Sequence, residues 1–89
     1  MKVLMPGALR SYTRGHTQGH EVQAEGDTLD GLFDDLDRRY PGLRFRVVDE
    51  QGQLRANMRV FVNGLGVRDL RHPLKPDDFV AVVLALSGG

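Results

Sequence analysis

The chain contains no cysteine. That absence excludes disulfides, thiolate metal sites, iron–sulfur clusters, a side-chain persulfide and a cysteine nucleophile together. Long apolar runs are also missing near the start, where "MKVLMPGALR" is broken by Pro6 and Gly7. It lacks the apolar core of a signal peptide and is far too short to span a bilayer, so a soluble cytoplasmic protein with no membrane partner is expected. Net charge is absent too, with 12 basic against 12 acidic residues, which argues against a general nucleic-acid binder. Locally the balance breaks. Residues 21–37 hold seven acids and no Lys or Arg, whereas residues 38–71 hold eight Arg against Asp49, Glu50 and Asp69. Such runs are ordinarily solvated faces, although two faces of opposite sign could also orient a partner.

What is present fits one domain, since 89 residues allow a single modest core. "KVLM" reads as a short strand ended by "PG", "RSYTRGHTQGH" as a polar loop, and "EVQA" as a second strand, giving a hairpin with a loose tip. In "GDTLDGLFDDLDRRYPG", Leu29, Leu32, Phe33, Leu36 and Tyr40 recur at helical spacing and share one face. Asp27 or Thr28 can cap this helix, acids crowd its first half, Arg38 and Arg39 sit in its last turn, and Pro41-Gly42 stops it.

The helix needs an apolar surface to cover. In "LRFRVVDEQGQLRANMRVFVNG", Leu43, Phe45 and Val47 alternate with Arg44 and Arg46, a turn follows at "DEQGQ", and Met58, Val60 and Val62 alternate with Arg59 and Phe61 up to Asn63-Gly64. After a Pro-Asp-Asp turn, a last strand places Val80, Val82 and Leu84 on one side and Phe79, Ala81 and Val83 on the other. A strand apolar on both sides belongs in the middle of a sheet covered on both. Only one helix of useful length is available, so one face is either left sticky or bound by something else. The order β-β-α-β-β corresponds to an α+β, β-grasp (ubiquitin-like) fold: a mixed sheet of about four to five strands with one main helix packed on one face.

The chain then stops at "VVLALSGG". Glycine packs poorly and loses more backbone freedom on ordering than any other residue, so a frayed end is the bland interpretation. The order of elements, the helix segment "GDTLDGLFDDLDRRYPGL", "VFVNG" with "VRDL" soon after, "LKPDDFVAVV" and the terminal "SGG" together resemble the ubiquitin-like sulfur carriers of the MoaD/ThiS family. That family includes the molybdopterin synthase small subunit and the thiamine- and cysteine-pathway carriers. The resemblance runs essentially end to end. It implies a β-grasp domain over residues 1–87 and a flexible tail at residues 88–89, with the chemistry on the main-chain carboxyl of Gly89 and access provided by Gly88.

In that family an E1-like adenylyltransferase couples the terminal carboxylate to AMP, and a sulfur donor displaces the AMP to leave a thiocarboxylate for an acceptor synthase. The carrier therefore acts as a co-substrate of its partners and needs no catalytic side chain, cysteine, metal or bound cofactor, the ATP belonging to the activating enzyme. The resemblance also places Val80, Val82 and Leu84 toward the helix, leaving Phe61, Ala81, Val83 and Leu4 on the open face where the activating enzyme docks, with Leu65 extending that patch. The stretch "VVLAL" departs from the bulkier approach to the tail in many molybdenum-cofactor carriers, and "YPGL" with the long segment after it looks more like the bacterial carriers of amino-acid or secondary-metabolite synthesis. A monomer when free is expected.

Other candidates are weaker. His16 and His20 lie four apart but in a glycine-containing stretch without helical periodicity, which argues against a metal site. His72 precedes Pro73 and reads as surface. Asp34, Asp35 and Asp37 read as a solubilising helix face rather than an acid–base pair. "GALRSYTRG" lacks the Gly-Lys-Ser/Thr ending of a phosphate loop. Two rivals to a sulfur carrier stay open: a protein modifier joined to lysines through Gly89, and a β-grasp interaction module whose tail is incidental.

Overall fold

The computed structural model describes residues 1–13 and 21–85. Gly88, Gly89, His16 and His20 lie outside the described residues, as does most of the loop expected before the second strand. Five strands form one sheet in the order β2-β1-β5-β3-β4. They are β1 (Lys2–Leu4), β2 (Glu21–Gln23), β3 (Met58–Val62), β4 (Leu65–Val67) and β5 (Phe79–Leu84). β1 and β5 run parallel, and the other pairs are antiparallel. The last strand is thus the middle one, as its two-sided apolar pattern requires.

A 3-10 turn (Gly7–Leu9) leads into α1 (Arg10–Thr13), so the first residues of the expected loop are helical instead. α1 is a single turn, too short to show helical periodicity in the sequence.

The main helix, α2, spans Leu29–Arg39. Thr28 is its N-cap: its hydroxyl accepts a hydrogen bond from the Gly31 amide at 3.1 Å. Leu29, Leu32, Phe33 and Leu36 are fully buried against Val60, Val62, Val80 and Val82 in one core cluster. Each such side chain withdrawn from water contributes about 1.5–3 kcal/mol. One glycine makes the approach possible. A Cβ on Gly26 would collide with the backbone of Gly31 and Leu32, so the chain entering α2 can pass that close only without a side chain.

The segment Leu43–Val47 is a short helix, α3, and not the strand its alternation suggests. Leu43 and Val47 are buried, one helical turn apart, while Phe45 points outward and is 57% exposed. Tyr40 caps the end of α2, its amide donating to the Leu36 carbonyl, and Gly42, at φ 94°, is the left-handed residue that precedes α3 and redirects the chain. The "DEQGQ" turn is present, closed by the Asp49 amide on the Gln53 carbonyl at 2.8 Å. β4 is an additional strand that "LGV" gave no pattern to reveal, making the observed order β-β-α-α-β-β-β after the one-turn α1 is set aside.

Candidate functional site

Cross-strand partners point to the same side of a sheet, so the pairings define its two faces. On one side Val3, Val60, Val62, Val80 and Val82 are buried under the helices. On the other, Leu4, Ala81 and Phe61 form one row across β1, β5 and β3. Val83 stands beside Arg59 in the next row. Leu4, Ala81 and Phe61 are half-buried, and Val83 is exposed. Among the described residues no helix covers this face, and four of the five expected patch residues lie on it together.

Leu65 does not. The two-residue turn at Asn63-Gly64 pairs Leu65 with Val62, which turns its side chain toward the helix side at the rim of the sheet, where it is 64% exposed. The residue opposite Phe61 is Gly66, and the Phe61 ring lies over it: a Cβ there would sit 3.6 Å from Phe61 Cε1. This cover explains why Phe61 is only half-exposed. Leu84 also departs from expectation. It shares the parity of Val80 and Val82 but lies at the end of β5, where it is exposed and lines a groove with Phe45 and Met58. Conversely, Phe79 belongs to the open face by its parity with Ala81 and by its pairing with Lys2, and it is exposed. Strict alternation along β5 was the signal that could have added it to the patch.

Asn63 and Asp78 have a structural role. The Asn63 amide group donates to Asp78 Oδ1 at 2.8 Å, the Phe79 backbone N–H donates to Asn63 Oδ1 at 2.9 Å, and the Lys75 N–H donates to Asp78 Oδ2 at 2.8 Å. Asn63 (φ 51°) and Gly64 (φ 87°) are both left-handed, as this tight hairpin turn requires. The pair latches the β3–β4 turn to the start of β5. The Lys75 N–H, then Asn63, hold the Asp78 carboxyl below the usual carboxylate range. The residues "VNG" and "PDD" therefore set where β5 begins.

The helix acids are likewise engaged, which corrects their reading as a solubilising face. Asp35 is buried: its carboxylate accepts from the Glu25 amide and from Arg39 Nε, both at 2.8 Å, and pairs with Arg38 at 3.1 Å. The Glu25 hydrogen bond is the chief cause of its lowered pKa. Asp37 accepts from the amides of Gly42 and Arg44, and Arg44 bridges to Asp30 and Asp34. None of these carboxylates is free for acid–base work. Among the described residues no group of three or more His, Cys, Asp or Glu could hold a metal, and no helix is long and apolar enough to cross a membrane.

The end of β5 is fastened by the Ala85 amide, which donates to the Asn57 carbonyl at 2.8 Å. From there four residues lead to Gly89. Among the described residues the arrangement offers an uncovered, largely apolar sheet face on the strand that leads toward Gly89.

Comparison with known proteins agrees with this geometry. The sulfur carrier protein CysO of Mycobacterium tuberculosis is 33% identical over 92 residues, covering 98% of this chain and 96% of its own length. The Amycolatopsis orientalis BexX/CysO complex contains a chain that superposes with a TM-score of 0.87 at 32% identity, covering 99% of this chain and 98% of that one. SAMP1 from Haloferax volcanii follows the same path with a TM-score of 0.74 at 27% identity, covering 100% of this chain and 98% of its own. The ThiS family profile matches residues 3–89. The chain belongs to the ThiS family, the ubiquitin-like sulfur carriers that its sequence resembles.

Proposed function

We propose that this sulfur carrier works through its C-terminal carboxylate in the cytoplasm, delivering sulfur for cofactor, cysteine or other sulfur-metabolite synthesis. A Gly89 carboxylate oxygen attacks the α-phosphorus of ATP bound to an E1-like partner, and pyrophosphate leaves. Hydrosulfide, or a donor persulfide whose S–S bond a thiol then cleaves, adds to the acyl carbon and expels AMP. The resulting thiocarboxylate gives its sulfur to an acceptor synthase, and hydrolysis restores the carboxylate. The supporting observation is the continuity between the family match through residue 89 and the central strand β5, whose uncovered face presents Ala81 and Val83 just before the tail.

In this reading Phe61, Ala81, Val83 and Leu4, with Phe79 added, form the surface on which the activating enzyme docks. Aromatic and aliphatic side chains on an uncovered sheet suit such a contact. Gly88 and Gly89 allow the tail into a narrow channel that a Cβ would obstruct. The relatives named as sulfur carriers favour sulfur delivery, and the likeness to SAMP1, a small archaeal modifier protein, favours a second reading in which the activated Gly89 is joined to lysines. Deleting Gly88 and Gly89 tests both against an incidental tail. Complete loss of carrier-dependent pyrophosphate release with an unchanged melting temperature is expected. Retained activity would exclude chemistry at the terminus.

A further inference from the structure

The eight arginines between residues 38 and 71 divide into two groups. Arg38 and Arg39 pair with Asp35, Arg44 with Asp30 and Asp34, and Arg71 with Asp69. Arg46, Arg55, Arg59 and Arg68 have no carboxylate partner among the described residues. Three of these four are held on main-chain carbonyls of one short stretch or its neighbour. Arg59 donates to the carbonyls of Ala56 and Met58, Arg68 to those of Leu54, Arg55 and Met58, and Arg55 Nε to that of Phe45 at 2.7 Å. Such bonds fix the guanidinium groups without neutralising them.

Their location is specific. Asn57, in the middle of that stretch, receives the Ala85 amide where β5 ends. Arg59 pairs with Val83 on the open face, while Arg46 and Arg55 line a groove of about 570 Å³ with Phe45, Leu84 and Met58 on the other. Arg55 also lies over the exposed Phe45 ring, 4.6 Å from its centroid. Asp49 shares the groove, but its Oδ1 is occupied by the amides of Gln51 and Gln53, and Glu50 beside it is exposed and unpaired. Around the strand end from which the chain continues to the tail, four arginines thus stand against two acids, Asp49 and Glu50.

We infer that this arginine-framed end, Arg46, Arg55, Arg59 and Arg68 around Ala85, docks on an acidic rim surrounding the site in the partner protein that takes up the tail. The inference rests on the proposed function, since it needs a partner that binds the tail. An oppositely charged rim would speed encounter and orient the terminus before it threads. The exposed Phe45 under Arg55 provides an aromatic–arginine anchor of the kind that dominates interface energies. A nucleic acid is the other polyanion such a cluster could meet, but the chain's zero net charge and the continuity with the tail favour a protein.

The test uses the full chain and the adenylating enzyme of its own organism, recognised by ATP-dependent pyrophosphate release that requires the carrier. Arg46→Glu/Arg55→Glu should raise the carrier's KM at least about 10-fold with little change in kcat, and flatten its rise with added salt. Arg46→Lys/Arg55→Lys should restore most of the affinity, and a melting temperature of the Glu variant equal to that of the Lys variant separates lost charge from a folding defect. Arg38→Glu/Arg71→Glu makes the same charge change where each arginine already has a partner, and should change KM less than about 3-fold. Equal KM values for the two charge-reversed variants would overturn the inference. So would a salt-sensitive affinity for a 20-nucleotide RNA or DNA that is lost in Arg46→Glu/Arg55→Glu while the KM stays unchanged. No pyrophosphate release with the unaltered chain would instead overturn the underlying reading, and this inference with it.

Discussion

The two sides of the sheet have similar residues and opposite fates. On β5, Val80 and Val82 are fully buried beneath α2, while Ala81 and Val83, equally apolar and one position away, face outward. The covered side has its polar groups matched as well: no buried side-chain nitrogen or oxygen among the described residues lacks a hydrogen-bond partner. The open side has apolar surface without a cover. The first arrangement serves folding, and in the proposed function the second is the surface on which a partner docks. A substitution on the covered side should therefore change stability, whereas one on the open side should change partner affinity.

The largest expected effect lies on the covered side. Leu32→Ala should lower unfolding free energy by about 2–5 kcal/mol, measured by urea denaturation. A loss below 1 kcal/mol would mean that α2 does not close this face as described. Gly26→Ala should follow at about 2–4 kcal/mol, because its Cβ meets the backbone of α2 rather than a movable side chain. On the open side, Val83→Arg should raise the carrier's KM in activation about 10-fold while shifting stability by no more than about 0.5 kcal/mol. A stability loss as large as that of Leu32→Ala would erase the distinction between the two faces.

The smallest effect concerns the buried carboxylate that joins β2's exit to α2. Asp35→Asn should cost about 1–2 kcal/mol at pH 7. Its folded pKa is lowered, so the stabilisation by the ionised form is full above the unfolded value and fades as pH falls through the folded one. The gap between Asp35→Asn and the unaltered chain should consequently shrink below about pH 4, observable in paired melts across pH. A gap independent of pH would mean that the Asp35 charge contributes nothing.

Much of this division could be read from the order of residues. The spacing of Leu29, Leu32, Phe33 and Leu36 identified α2, and the alternation through Val80 and Val82 identified a central strand. Leu43, Phe45 and Val47 misled because residues i and i+4 share a face in a helix while i, i+2 and i+4 share one in a strand. Only the exposure of Phe45 separates the two possibilities, and that depends on Gly42 reversing the chain. Leu65 was misplaced although the Asn-Gly turn determines its pairing with Val62, and hence its face. β4 is three residues long with Gly66 at its centre, leaving no period to detect. Asp35 was misjudged because its principal partner, the Glu25 amide, lies ten residues away and reaches it only after the chain folds back along α2.

The central proposal is that this carrier bears its sulfur on the Gly89 carboxyl and on none of its side chains. It is tested most directly by mass spectrometry of the intact chain and its C-terminal peptide, isolated from its own cells under sulfur demand. The comparison must be localised, because oxidation of Met1, Met5 or Met58 adds nearly the mass of an oxygen-to-sulfur exchange. A sulfur-for-oxygen increment confined to the peptide ending in Gly89 is the predicted result. A terminus found only as free carboxylate, or only joined to lysines, would contradict it.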